Sequence, residues 1–335
     1  MKYRRLGKKG PLVSSLGLGC MVMTESYGHA DKKAASNLIE KAYEKGVTFF
    51  DTADCYGMGA NEELLGHAVK SFRKDVVIAT KCGIEIRKSD FQHFINNTPH
   101  YIKQACHASL KRLGMETIDL YYLHRYNPAV PIEESMEAML SLIEEGKILY
   151  VGLSEVDKDV LERAHGVLGD KLVALQTEFS IANHSIAEAV LPTCRKLGIG
   201  FVAYSPLGRG LLSGVIRNPT IFHEGSEFDF RSILPQFQSG VFETNLHLVK
   251  AIEALAHQKK CTPAQLSLAW LLAQGEDIIP IPGTKQMKYL EENLEAVNIH
   301  LSDNDLAAIN QAILKYPIKG ARYTEELLKI FHLES

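Results

Sequence analysis

Four side chains in this sequence are of types that move protons between oxygens: Asp51, Tyr56, Lys81 and His124. Asp51, Lys81 and His124 each end a largely apolar or β-branched run (residues 47–51, 76–81 and 119–124), and Tyr56 falls in the loop just after Asp51. A charge at the tip of a buried strand is costly unless paired, and Asp51 and Lys81 on neighbouring strands can pair. A tyrosine phenol, with a pKa of about 10, is a weak acid at neutral pH. A nearby ammonium stabilises the phenolate and lowers that value, a task for Lys81 if Asp51 holds it. His124 would then orient a carbonyl oxygen or share the proton. The set suits proton transfer to and from a substrate oxygen and holds no obvious nucleophile and no metal cage. Each member also has a plain structural reading: a buried ion pair, a satisfied core histidine, a loop tyrosine. Their joint place at successive strand ends favours chemistry.

The elements that must position them are read from periodicity. Candidate strands span residues 16–19, 47–51, 76–81, 119–124, 150–154, 172–176, 200–205 and 278–281. Their ends are separated by 32, 30, 43, 30, 22, 29 and 78 residues, and a strand–helix unit needs roughly 30. Between them Asp31 can cap a helix that Gly46 ends, Pro131 opens another that Gly146 closes, and Thr262-Pro263-Ala264-Gln265 is a capping box with proline at the first helical position. Eight apolar strands alternating with helices argue for a parallel sheet buried on both faces. A closed (β/α)8 TIM barrel fits the count. A doubly wound sheet, the alternative, usually carries G-x-G-x-x-G after its first strand, and Gly17-Leu18-Gly19-Cys20 does not continue that pattern because Val stands at 22. Prolines 280 and 282 predict a short last strand.

Composition sets the frame. The chain has 335 residues, 46% hydrophobic, with 37 Lys plus Arg against 40 Asp plus Glu, a net charge of −3. That balance excludes the basic footprint of a nucleic-acid binder, and no run approaches the ~20 apolar residues of a membrane span. Six cysteines, never as C-x-x-C, read as reduced thiols of a cytoplasmic protein. The basic N-terminus precedes a run too diluted by Ser14, Ser15, Gly17 and Gly19 for a secretory signal; Gly7-Lys8-Lys9-Gly10 reads instead as a hairpin turn.

In a barrel, active sites lie at the C-terminal strand ends, which here read Asp51, Lys81, His124, Ser154, Gln176, Tyr204-Ser205 and Gly283-Thr284. Phe50-Asp51-Thr52-Ala53 with Tyr56-Gly57, Thr80-Lys81, the run 119–124 ending in His124, Val151-Gly152-Leu153-Ser154, Gln176, Ala203-Tyr204-Ser205-Pro206-Leu207-Gly208, and Ile281-Pro282-Gly283-Thr284-Lys285 with Leu290-Glu291-Glu292-Asn293 together resemble the aldo-keto reductase superfamily. The resemblance runs from Gly19 to Asn293 in the family's order. It implies a barrel binding NADP(H) without a Rossmann motif and transferring a hydride to an aldehyde or ketone. Carried over, Tyr56 is the proton donor, Lys81 tunes it, Asp51 holds Lys81 and His124 orients the carbonyl. Ser154 and Gln176 bind the carboxamide, Tyr204 stacks on the nicotinamide, and Ser205, Leu207 and Arg209 meet the pyrophosphate. Gly283, Thr284 and Lys285 surround the 2′-phosphate, and Glu292 and Asn293 the adenine.

Two departures stand out. Many members have Asn after the carboxamide-binding Ser where this chain has Glu155, and an Arg before the Glu-Asn pair where it has Tyr289. Lys285 and Lys288 must then supply the phosphate's counter-charge, as point charges rather than as a bidentate fork. Long loops set the substrate: Met21, Tyr27, Arg87 and Phe91 are the pocket candidates, and the loop from Pro206 to about Asn245 is expected to fold over the cofactor. The expected whole is one domain: a hairpin over 1–15, the barrel over 16–300 and a tail over 301–335 with an added helix near 303–314. It would act as a monomer or small homo-oligomer. Two other functions stay open: an NADP(H)-binding regulatory or scaffold protein like potassium-channel β subunits, and a barrel aldolase using Lys81 as a Schiff base.

Overall fold

A computed structural model describes residues 1–24, 26–87, 92–223 and 228–333. Eight strands form the core: β1 (Leu18–Gly19), β2 (Phe49–Asp51), β3 (Val77–Cys82), β4 (Ile118–Leu123), β5 (Ile148–Ser154), β6 (Leu172–Glu178), β7 (Gly200–Tyr204) and β8 (Ile278–Pro280). Each pairs in parallel with the next in chain order. The ring closes where Gly17 N–H donates to Pro280 O at 3.0 Å and Gly19 N–H to Pro282 O at 3.3 Å. This (β/α)8 barrel accommodates the two prolines for a simple reason. At the seam they need only accept, while Ile281 between them donates to Ala203 O on β7 at 3.0 Å. Gly19 permits the close approach, since a Cβ there would lie 2.8 Å from Ile281 O.

The two-residue period of a strand decides what fills the barrel. Phe49, Ala79, Leu120, Ala174, Val202 and Ile279 point inward as one apolar cluster. Continuing the same alternation by two or four residues gives Asp51, Lys81, His124, Gln176 and Tyr204. The functional candidates are therefore the top layer of the barrel interior. Below them Tyr122, fully buried, lies against Gly152 on β5, its register partner, where a Cβ would meet the ring at 2.3 Å.

The helices are α1 (Lys32–Glu44), α2 (Ala60–Ala68), α3 (Pro99–Leu113), α4 (Ile132–Glu144), α5 (Lys158–Leu168), α6 (Ser185–Leu197), α7 (Val241–Gln258), α8 (Pro263–Ala273), α9 (Met287–Glu295), α10 (Asp303–Lys315) and α11 (Glu325–Ile330). Asp31 accepts from Ala34 N at 2.7 Å to cap α1, and Thr262 with Gln265 forms the expected box on α8. The 78-residue interval holds a full helix beyond the barrel set: α8 packs on β8, while α7 packs on α8 and α10 outside it. The N-terminal hairpin, Tyr3–Arg5 with Leu12–Ser14, closes the bottom of the barrel with Leu6 and Val13, both fully buried. A second hairpin, Ile84–Ile86 with His93–Ile95, rises from the top after β3. Among the described residues no helix is long and apolar enough to cross a membrane.

Candidate active site

Lys81, wholly buried, donates to Asp51 Oδ1 at 2.5 Å and to Thr52 O at 2.7 Å. Gln176 Nε2 donates to the other oxygen, Asp51 Oδ2, at 2.8 Å. The third direction of the ammonium meets Tyr56 OH at 3.5 Å. Tyr56 is placed by the tight turn after Asp51, where Gly57 and Met58 take positive φ of 55° and 52°. His124 stands edge-on to the Tyr56 ring at 5.9 Å between centroids, with Cys55 Sγ 3.6 Å from its Nδ1. Four groups spread over seventy-odd residues thus converge on one spot.

Protonation follows from the same burial. The Tyr56 phenol is held well above its ordinary range, by desolvation first and by the Asp51 carboxylate next, with the Arg125 guanidinium pulling the other way. This reverses the sequence-based expectation of a lowered value. Lys81 Nζ is turned to Asp51 at 2.5 Å, and burial of the phenol dominates. His124 is pushed well below the usual imidazole range by burial, then by Arg125 and Lys81, and is neutral at physiological pH. The site therefore presents a protonated phenol and a neutral imidazole.

They face one end of a cavity of about 790 Å³, within the usual size range of small-molecule sites. Ser154 and Gln176 line it from the ends of β5 and β6. Tyr204, Ser205, Leu207 and Arg209 line it from β7 and its loop, and Gly283, Thr284, Glu292 and Asn293 from the segment after β8 and from α9. The residues fit an extended dinucleotide. The loop after β7 places the buried Arg209 cation between Gly208 and Gly210, all three at positive φ, a backbone and charge arrangement suited to a pyrophosphate. At the seam a Cβ on Gly283 would lie 2.7 Å from Gly19 O, so only glycine leaves that wall flat.

The comparisons agree. Residues 15–314 match the family model described as the Aldo/keto reductase family. The chain belongs to the aldo/keto reductase family. It is 44% identical over 324 residues to a probable aldo-keto reductase of Glycine max (95% of this chain, 91% of that protein). It is 44% identical over 316 residues to an aldo-keto reductase of Schizosaccharomyces pombe whose name specifies NADP(+) (93% and 92%). Among solved structures, a glycerol dehydrogenase of Gluconobacter oxydans superposes with a TM-score of 0.83 at 25% identity, covering 95% of this chain and 97% of that one. Membership makes the chain an oxidoreductase of a family whose general chemistry is NADP-dependent carbonyl reduction.

Not every expected residue of this aldo/keto reductase lies where the resemblance puts it. Lys285 is not found among the cavity-lining residues; its Nζ donates to the carbonyls of Tyr27 and His29, each at 2.7 Å, and Gly28 at 3.4 Å. Lys288 lies 5.6 Å from the Tyr289 ring. Of the pocket candidates, Met21 and Tyr27 line the cavity. Arg87 does not: its guanidinium sits over Phe94 at 4.8 Å and donates to Gln92. In its place the hairpin contributes Ile84, Ile86 and His93, since a strand's alternation turns only every second residue inward. Phe91 lies outside the described residues. Sequence reasoning missed Arg125, Tyr323, Leu327 and Phe331, all of which line the cavity. Arg125 adjoins His124 and was legible by position; the other three come from the tail. The signal there was Thr324-Glu325-Glu326, a cap followed by acidic first-turn residues opening α11.

Proposed function

We propose that this enzyme reduces aldehydes or ketones to alcohols with NADP(H), with Tyr56 as the proton donor. The convergence of Asp51, Tyr56, Lys81 and His124 at one end of a cavity fit for a dinucleotide carries this reading. When bound, NADPH supplies the hydride that the carbonyl carbon accepts. The carbonyl oxygen sits between Tyr56 and His124, and the neutral imidazole donates a hydrogen bond to it. As negative charge gathers on that oxygen, the phenol gives up its proton and the alcohol forms. The phenolate left behind is stabilised by Lys81 Nζ at 3.5 Å and by Arg125. Asp51 holds Lys81 in place and aims it. That pairing disfavours an aldolase, whose lysine must reach the substrate carbonyl, because Lys81 Nζ is buried and held by Asp51 and Thr52 O. A purely regulatory protein has no need of four filled positions. Ser154 and Gln176 serve the carboxamide, Tyr204 the nicotinamide face, and Ser205, Leu207 and Arg209 the pyrophosphate. Thr284 and Lys285 take the 2′-phosphate, a charged acceptor for the Lys285 ammonium.

The test is a panel of aldehydes and ketones run with NADPH and NADH side by side. Tyr56→Phe is expected to lower kcat by about 10² or more while the Kd for NADPH stays within about twofold, since the phenol is assigned no ground-state contact with the cofactor. Turnover retained in that variant overturns Tyr56 as donor.

A further inference from the structure

We propose that the C-terminal segment completes the nicotinamide seat, with Arg322 as the clamp that holds it down and Tyr323 as the residue that positions Tyr204 and, through Arg125, Ser154. The inference rests on the cofactor reading above and assigns roles to residues outside the barrel.

The segment reaches the rim along a fixed path. After α10 it is pinned by a reciprocal pair, Asn245 Nδ2 donating to Lys319 O at 3.0 Å and Lys319 N–H to Asn245 Oδ1 at 2.8 Å. Gln236 Nε2 donates to Gly320 O at 3.3 Å. Arg322 then grips Glu155 with both arms, Nη1 to Oε1 at 3.1 Å and Nη2 to Oε2 at 3.0 Å, the side chains 10% and 2% exposed. The planar fork matches the carboxylate, a geometry a lysine cannot reproduce. Glu155 holds a positive φ of 54°, a strained conformation for a non-glycine residue that persists only where its surroundings impose it. The surroundings do so here: Arg322 holds both carboxylate oxygens, and Oε1 also accepts from Glu178 N–H at 2.9 Å. Burial works to raise the Glu155 carboxyl, but Arg322 and Arg125 outweigh it and keep it ionised.

The clamp sets Tyr323. Its hydroxyl lies 3.1 Å from Tyr204 OH and accepts from Arg125 Nη2 at 3.4 Å, and Arg125 Nη1 donates to Ser154 Oγ at 3.0 Å. One tail hydroxyl thus joins the residue expected beneath the nicotinamide ring to the residue expected at its carboxamide. Phe331 closes the arrangement, edge-on to Tyr323 at 5.8 Å and 5.2 Å from the Arg125 guanidinium. This also accounts for Glu155 in place of the Asn common in the family. Its side chain has turned from the cofactor to the tail, and Arg125 with Tyr323 orders the neighbouring Ser154 instead.

The experiment compares two ligands on the full chain: NADPH, and 2′,5′-ADP, which carries the adenine half alone. Arg322→Met is expected to weaken NADPH about tenfold, because it strips the buried Glu155 carboxylate of its bidentate partner, and to leave 2′,5′-ADP unchanged. Arg322→Lys is expected to recover part of the loss. Tyr323→Phe, which keeps the ring, is expected to lower kcat about three- to tenfold, the worth of one or two hydrogen bonds, without raising KM for the aldehyde. Equal loss of both ligands, or of neither, overturns the inference. A wild-type protein that binds 2′,5′-ADP but gains nothing from the nicotinamide half overturns it as well. Wild-type protein that binds neither ligand overturns the parent reading.

Discussion

Tyr56, the proposed proton donor, shows how a single residue takes its titration from its surroundings. The sequence puts a phenol near an ammonium, and that pair alone argues for a more acidic phenol. In the folded site desolvation and Asp51 drive the value up, well above the ordinary phenol range. A group that donates a proton acts while protonated, so its contribution to reduction is full below its pKa and lost only above it. The reductive kcat is therefore expected to stay level from about pH 6 to 9, whereas oxidation of an alcohol, which needs the phenolate, is expected to rise with pH over that window. His124 adds no step there, because burial, Arg125 and Lys81 hold it well below the imidazole range. Paired pH profiles of the two directions check this. A reductive kcat that falls across the window counts against Tyr56 as the acid.

At the scale of elements, the site depends on the fit of β4 against β5. Tyr122 and Gly152 are register partners, and a Cβ on Gly152 would lie 2.3 Å from the ring. Tyr122 is fully buried in the barrel interior, so a shift of its ring displaces packed neighbours. Gly152→Ala is expected to cost about 1–3 kcal/mol by overpacking. Gly166, an exposed glycine in α5 with nothing within 4 Å of its would-be Cβ, is expected to behave oppositely. Gly166→Ala should gain roughly 0.5–1 kcal/mol from helix propensity. Denaturant melts of the two variants check the pair, and a shift of the same sign in both would refute the packing account.

The molecule as a whole ties three distant segments together over the cavity. Ser26 O accepts from Phe230 N–H at 3.0 Å, Gly28 N–H donates to Phe228 O at 3.3 Å, and Lys285 donates to the carbonyls of residues 27–29. The loop after β1 is thus held from the β7 side and from the β8 side at once. If the 2′-phosphate draws Lys285 to itself, Lys285→Met is expected to lower the preference for NADPH over NADH in kcat/KM by about tenfold, the scale of one charge-assisted contact. The NADH value should change little. An unchanged ratio would move the 2′-phosphate elsewhere on the rim.

Much of this arrangement is legible along the chain. Strand period, helix caps and the spacing of strand ends depend on neighbours in sequence, so they disclosed the barrel and placed Asp51, Lys81 and His124 on one rim. Prolines 280 and 282 are readable as a short last strand, though their harmlessness at the seam required knowing that Gly17 and Gly19 donate to them. What the chain alone could not disclose is whatever depends on distant segments meeting. The direction of the Tyr56 titration turns on how much water the closed site excludes. The placing of Lys285 turns on a loop some 256 residues away in the chain. Arg322 and Tyr323 carry no local pattern; they gain their part from Glu155, Tyr204 and Arg125, which only the packed tail brings within reach. Periodicity and capping are local physics, while desolvation and charge pairing across the molecule arise only once the chain has folded.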